Sequence, residues 1–255
     1  MIGGVAKLGR KARLDDGLAK HIVGRLVVGA GRLDDILLDH HGTQIVGAAA
    51  KRRLADLEAL GEVAAAHQLP LVVDSTFATP YLCQPFQYGA DIVVHSATKF
   101  IGGHGTSIGG VVVESGRFDW GCGRFDQMTE PAAGYNDLRF WENFGEYAFC
   151  TKLRAEQLRD IGASLSPFNA FLLLQGLETL PQRMDEHVAN AQVVAEFLES
   201  HRAVAWVAYA GLDSSPYHDL ARYYMPKGPG AVLTFGVKGG RASAAKFLSL
   251  IHISE

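Results

Sequence analysis

Two short apolar runs, each ending in polar side chains, constrain the possible fold more than any other feature of the sequence. LVVD at 71–74 ends at Asp74, and DIVVHS at 91–96 ends at Ser96. The segment 54–68 has apolar residues at helical spacing and is stopped by a proline. Helix, strand, connection and strand in this order predict an α/β protein with a mostly parallel sheet.

A third strand is predicted at 109–115, where the sequence reads GGVVVES. It follows the second strand after roughly a dozen residues, the least that a parallel crossover needs, and such a crossover usually contains a helix. Gly102, Gly103 and Gly105 in the connection disfavour a helix there. We therefore expect the third strand to run antiparallel to the second.

The first 50 residues are less informative. Short strands are predicted at 27–31 and 44–50, with a short helix at 33–42 between them. The GAGRL stretch lacks the glycine spacing of a dinucleotide-binding loop, so an ordinary turn is the better interpretation.

The second half of the chain is predicted to be mainly helical. Residues 116–150 read as an aromatic-rich region with short helices, and a further helix begins at Thr151. A long helix is predicted over 169–200, which Pro181 kinks or splits. Two strands of a second, smaller unit are predicted at 204–210 and 231–237.

Charge and composition exclude several classes of function. A net charge of -3 over 255 residues gives no electrostatic reason to bind nucleic acid or a membrane surface. No apolar run reaches the roughly 18 residues of a membrane span, and charges interrupt the first 20 residues where a secretory signal would lie. Cys83, Cys122 and Cys150 are widely spaced, which predicts free thiols, no metal site and a cytoplasmic protein.

The polar residues at the strand ends suggest a specific chemistry. If the first two strands are parallel, Asp74, Ser96, Thr98 and Lys99 lie at one edge of the sheet, where α/β proteins bind ligands. A lysine amine forms a Schiff base with an aldehyde, hydroxyl groups hold a phosphate, and a carboxylate pairs with a ring nitrogen. Each residue alone is more often a cap, a turn residue or a solvated lysine. Together they favour a site for pyridoxal 5'-phosphate.

The stretch VVDSTFATPYLCQPFQYGADIVVHSATKFIGGHGTSIGG closely resembles the Cys/Met-metabolism family of pyridoxal-phosphate enzymes. The SxTK motif of that family falls on Ser96, Thr98 and Lys99. The resemblance implies that Lys99 is the catalytic residue that carries the cofactor, that Ser96 and Thr98 contact its phosphate, and that Asp74 pairs with the pyridine nitrogen. It also implies a small-molecule amino-acid substrate and a homotetramer.

The family's fold is a pyridoxal-phosphate transferase of fold type I. Its large domain has a mostly parallel sheet, and the resemblance implies that this chain holds that core plus part of a smaller α+β C-terminal domain. The predicted divisions are an atypical segment at 1–53, an incomplete cofactor-binding domain at 54–185 and an incomplete small domain at 186–255.

Two further stretches, HGTSIGG at 104–110 and SPFNAFLLLQGLETLPQRM at 166–184, look most like the sulfhydrylase members. They imply transfer of sulfide or a thiol to O-acetylhomoserine; methionine γ-lyase and cystathionine γ-synthase activities are the alternatives. Ser75 replaces the asparagine that usually follows the aspartate. The family's ring-stacking tyrosine has no counterpart before residue 54, and its carboxylate-binding arginine has none after residue 248. A fragment without catalytic activity is therefore a second hypothesis. The missing tyrosine and arginine predict negligible sulfhydrylase activity for this chain, and uncovered apolar strands near Val204 and Val232 predict poor solubility.

Overall fold

A mixed four-stranded sheet forms the centre of the computed structural model, which describes Val27–Val28 and residues 54–251. Its strands lie in the order β1 (Val27–Val28), β2 (Val72–Asp74), β3 (Ile92–Ser96) and β4 (Gly110–Glu114). β1 pairs with β2 and β2 pairs with β3 in parallel, whereas β3 and β4 are antiparallel. The strands predicted at 71–74 and 91–96 are therefore parallel, as expected. The strand predicted at 109–115 is antiparallel to its predecessor, which confirms that prediction. The helix predicted at 33–42 and the strand predicted at 44–50 lie outside the described residues.

β2 and β3 form here because their apolar runs are buried. Val73 and Val93 are opposite each other in the register and are both almost fully buried. Leu71, just before β2, and Ile92, the first residue of β3, are also buried. Burial of the consecutive residues Ile92 and Val93 is expected of a strand that is covered on both faces.

The helical segments of the described residues cover the four-stranded sheet and the C-terminal part of the chain. Their bounds are α1 (Leu57–Ala66), α2 (Thr79–Leu82), α3 (Asp126–Thr129), α4 (Phe140–Phe144), α5 (Ala148–Lys152), α6 (Pro167–Glu178), α7 (Leu180–Ser200), α8 (His218–Tyr224) and α9 (Gly240–Ile251), with 3₁₀ turns at Pro85–Tyr88, Ala133–Tyr135 and Gly145–Tyr147 and a π-helix at Leu153–Asp160. Within the described ranges, no helix has both the length and the hydrophobicity needed to cross a membrane.

The long helix predicted over 169–200 is split into α6 and α7. α6 begins after Ser166, whose Oγ accepts a hydrogen bond of 3.3 Å from the Asn169 N–H. α7 begins at Leu180, immediately before Pro181. Proline lacks an N–H and clashes with the preceding turn inside a helix, but it fits the first turn. The proline therefore marks the start of a new helix.

The two strands predicted in the C-terminal part form a separate antiparallel pair, β5 (Val204–Ala208) and β6 (Thr234–Val237). Between them, α8 packs back on the first part of the chain. The Tyr224 hydroxyl donates a hydrogen bond of 2.6 Å to Asp56, and Ala221 shares a buried cluster with Leu57. The division at residue 185 remains a prediction, and α8 joins the segments on either side of it.

Candidate cofactor site

The carboxyl ends of β2 and β3 lie side by side at one edge of the sheet. Asp74 is opposite Val94 in the register, and pairing continues one residue further, where the Ser75 N–H donates to the Val94 carbonyl at 3.0 Å. Ser96, the last residue of β3, lies two positions after Val94. The structure thus brings Asp74 and the Ser96–Lys99 segment together, as the sequence predicts.

Asp74 leaves its strand in a tight local turn. One carboxylate oxygen accepts a hydrogen bond of 3.0 Å from the Thr76 N–H, two residues further along. This is the Asx turn that aspartate commonly forms at a strand end. The Asp74 side chain is exposed, so its carboxylate can also reach a bound molecule.

Lys99 lies in a turn that directly follows β3. Its N–H donates to the Ser96 carbonyl at 3.2 Å, and its own carbonyl accepts from the Gly103 N–H at 2.8 Å. The Lys99 side chain is exposed, whereas Ser96 is half-buried. The lysine backbone is therefore fixed on both sides while its amine stays accessible.

The Thr98 hydroxyl bonds to the strand that follows. Its Oγ1 accepts from the Gly109 N–H at 3.0 Å and donates to the Gly109 carbonyl at 3.3 Å. These bonds tie the lysine turn to the residue before β4. The predicted contact of Thr98 with a phosphate remains a prediction, and the structure adds a role in closing this loop.

Thr76 is a residue that supports the site and that no sequence pattern indicated. It is buried, and its Oγ1 accepts a hydrogen bond of 2.8 Å from the Ser96 N–H. This bond joins the residues that follow β2 to the end of β3. A threonine shortly after a strand reads as a turn residue, so the sequence contains no pattern that would reveal this contact.

His95 is a second residue that the sequence analysis missed. Only 7% of it is exposed, and its Nδ1 lies 3.1 Å from the Ser75 carbonyl oxygen. Burial lowers the pKa of His95, so the ring is neutral at physiological pH and Nδ1–H is the donor, because a carbonyl only accepts. The histidine thereby supports the backbone next to Asp74. The only signal in the sequence was a histidine inside an apolar run.

The backbone at Thr79 is strained. This fully buried β-branched residue has φ 61°, a left-handed conformation that such residues rarely adopt. Its N–H donates to the Ser75 carbonyl at 2.8 Å, which ties it to the corner that follows Asp74. Strain of this kind is concentrated near functional sites in proteins.

The groups at this edge fit pyridoxal 5'-phosphate in chemical type. Lys99 offers an accessible amine for the aldehyde, Asp74 an accessible carboxylate for the ring nitrogen, and Ser96 a hydroxyl for the phosphate. The hydrogen bonds of Thr76 and Thr98 hold the two segments that carry these groups.

The fold and the chemical types of the candidate residues are those expected of a pyridoxal-phosphate-dependent protein of fold type I. Residues 48–255 match the profile of the family described as Cys/Met metabolism PLP-dependent enzyme, and the chain belongs to that family. Pyridoxal 5'-phosphate is accordingly its cofactor.

Two curated relatives are about half identical to this chain over most of its length. The chain is 50% identical over 203 residues to the homocysteine synthase of Schizosaccharomyces pombe, covering 78% of this chain and 47% of the relative. It is 48% identical over 207 residues to the O-acetyl-L-homoserine sulfhydrylase of Leptospira meyeri, again covering 78% of this chain and 47% of the relative. The chain thus spans about half the length of the curated relatives it matches.

A solved structure shows the same fold. It is a putative O-acetylhomoserine (thiol)-lyase from Campylobacter jejuni, with a TM-score of 0.70 and 36% sequence identity. The match covers 74% of this chain and 48% of the other. That protein carries a pyridoxyl-lysine phosphate group.

Proposed function

We propose that the chain is part of an O-acetylhomoserine sulfhydrylase, an aminocarboxypropyltransferase. This enzyme replaces the acetate of O-acetylhomoserine with sulfide or a thiol and forms homocysteine or methionine. The observation that carries the proposal is the juxtaposition of Asp74 with the Ser96–Lys99 turn at the ends of two parallel strands. The names of the two relatives that are about half identical to this chain support the substrate.

Lys99 has two tasks in this proposal. Its accessible amine binds the cofactor covalently through the aldehyde carbon. When Lys99 is not bound to the cofactor, its Nζ would accept the proton from the substrate α-carbon. When bound, the cofactor supplies an electron-accepting ring that stabilises negative charge at that carbon.

Asp74 and the hydroxyl residues orient the cofactor. A carboxylate within about 4–6 Å of the pyridine nitrogen favours the protonated ring, because opposite charges attract. We assign this role to Asp74 and phosphate binding to Ser96 and Thr98, together with backbone N–H groups of the turn. The Asx turn supports the assignment, because it fixes the Asp74 carboxylate at the strand end.

The reaction class within the family is tested by product analysis. Homocysteine formed from O-acetylhomoserine and sulfide in the presence of pyridoxal 5'-phosphate would support the sulfhydrylase. Release of methanethiol from methionine would instead favour a γ-lyase, and cystathionine formed from cysteine would favour a γ-synthase.

A cofactor-binding chain without turnover is the second candidate, because the chain spans about half the length of its relatives. Cofactor attachment is therefore measured separately from product formation. A visible absorption band that borohydride abolishes, without homocysteine formation, would select this second candidate. Absence of the band would contradict the cofactor site itself.

We also propose a cytoplasmic homotetramer. Phe168, Phe171 and Leu174 on α6 leave apolar side chains exposed, which is a surface suited to burial against another polypeptide. Light scattering of the purified chain tests the assembly, and a monodisperse monomer would contradict it.

A further inference from the structure

Arg183, on the first turns of α7, binds the backbone directly after Lys99. One guanidinium nitrogen, Nη1, donates to the Phe100 carbonyl at 2.7 Å, and the other, Nη2, donates to the Ile101 carbonyl at 3.2 Å. The Lys99 carbonyl accepts from the Gly103 N–H. Three successive carbonyls from the lysine onward are therefore hydrogen-bonded, two of them by one side chain.

The same guanidinium is anchored on the helical side of the contact. Nη2 also donates to the Gly176 carbonyl at 2.6 Å, and Nε donates to the Thr179 Oγ1 at 3.1 Å. Arg183 thus links the α6–α7 corner to the lysine turn. Arginine suits this task, because its planar group offers several donors in a fixed geometry.

The lysine turn also fits closely against α6. A Cβ atom at Gly176 would lie 2.1 Å from the Gly102 carbonyl oxygen, and one at Gly102 would lie 2.7 Å from a methyl group of Leu173. Both distances are far below a normal contact. The turn is therefore held against the helix by packing and by the arginine together.

Burial lowers the pKa of the Arg183 guanidinium, yet the group stays charged because arginine loses its proton only far above physiological pH. In the described part of the chain, its hydrogen bonds go to neutral oxygens of the turn and the helix corner. A partly buried cation that binds backbone carbonyls fixes their position more firmly than a neutral donor would.

We propose that Arg183 is the positioning residue for Lys99. By fixing the carbonyls that follow the lysine, it holds the turn in the conformation that directs the amine to the cofactor. This inference rests on the proposed function, because it takes Lys99 as the attachment site. If the turn spends only about a tenth of its time in the competent conformation without Arg183, cofactor affinity falls about tenfold.

The test compares the wild-type chain with the variants Arg183→Met and Arg183→Lys. Cofactor affinity is measured by titration with pyridoxal 5'-phosphate, using the visible band. Labelling of Lys99 is measured by mass spectrometry after borohydride reduction, and folding by the melting temperature. We expect about tenfold weaker binding and reduced labelling in Arg183→Met. Arg183→Lys should recover part of the cofactor affinity, because lysine is also a cation. The recovery should be incomplete, because an ammonium group binds fewer carbonyls at once than a guanidinium group.

Arg139→Met is the matched control. Arg139 is also half-buried and donates to a backbone carbonyl, that of Thr129 at 2.8 Å, but it lies away from the lysine turn. We expect this variant to lower the melting temperature and to leave cofactor affinity within about twofold, because the populated conformation of the turn is unchanged.

Three results would overturn the inference. The first is wild-type affinity in a folded Arg183→Met chain. The second is an equal loss of affinity in Arg139→Met, which would show a general effect of stability. The third applies if Arg183→Met does not fold. It is a cofactor affinity equal to that of the wild type in a folded Arg183→Lys chain. An unlabelled Lys99 in the wild-type chain would instead contradict the proposed function itself.

Discussion

The Oγ1 atom of Thr76 accepts a hydrogen bond of 2.8 Å from the backbone N–H of Ser96. The bond joins the two segments that carry the candidate cofactor-binding residues. Thr76 is buried, so water does not easily replace its hydroxyl.

Replacing Thr76 by valine should destabilise the chain by about 1 to 3 kcal/mol, because the Ser96 N–H loses its partner in a buried setting. Urea unfolding measures this change. Thr76→Ser keeps the hydroxyl and should cost less. Equal stability of the valine variant and the wild type would show that the bond contributes nothing.

Lys99→Ala should abolish covalent attachment of the cofactor, because no other residue of the turn carries an amine. Lys152→Ala is the control, since the Lys152 amine is paired with Glu156 and lies 4.4 Å from the centre of the Phe140 ring. Mass spectrometry after borohydride reduction locates the adduct. A phosphopyridoxyl group on a lysine other than Lys99 would refute the assignment.

Asp74→Asn should retain the cofactor but slow exchange of the substrate α-proton by more than about tenfold, which is ~1.4 kcal/mol of barrier. The amide oxygen can still accept from the Thr76 N–H, so the Asx turn survives. The negative charge that favours the protonated ring is lost. Proton exchange in deuterated water measures the effect, and an unchanged rate would leave Asp74 only its structural role.

Gly176→Ala should destabilise the chain by about 1 to 3 kcal/mol, because the added methyl group would overlap the Gly102 carbonyl and push the lysine turn away. Gly134→Ala is the control, since a Cβ atom there would meet no atom within 4 Å. Thermal unfolding of the two variants gives the comparison. A destabilised Gly134→Ala or an unaffected Gly176→Ala would contradict the close packing.

Tyr209 should make the chain less stable as the pH rises from about 10 to about 12. Burial raises the pKa of Tyr209 to about 12, against about 10 in an unfolded chain. Over this range the folded state keeps the proton that the unfolded state loses, so the free energy of unfolding falls with increasing pH.

Tyr209→Phe removes this contribution and should flatten the decline. At neutral pH it should cost about 1 kcal/mol, since the hydroxyl donates a hydrogen bond of 2.9 Å to the Gly230 carbonyl. Urea unfolding at several pH values measures both effects. Parallel curves for the two proteins would show that Tyr209 does not contribute to the pH dependence.

The sequence by itself determined where the central strands lie and that the strand at 109–115 runs antiparallel to its predecessor. The apolar runs at 71–74 and 91–96 are typical of buried strands. Gly102 and its neighbours disfavour the helix that a parallel crossover to the next strand would contain. Polar residues at the ends of those runs then lie at the same sheet edge. Local pattern is therefore sufficient to single out Asp74 and Lys99 as candidate site residues.

Tertiary structure alone decided what holds these residues in place. The bond from Ser96 to Thr76 and the contacts of Arg183 join residues 20 and more than 80 positions apart in the chain. Periodicity reports which face of an element is buried, but it carries no information about which distant side chain meets that face. For this reason the sequence was enough to propose a candidate cofactor attachment site, whereas the contacts that support it depend on how the helices and the sheet pack.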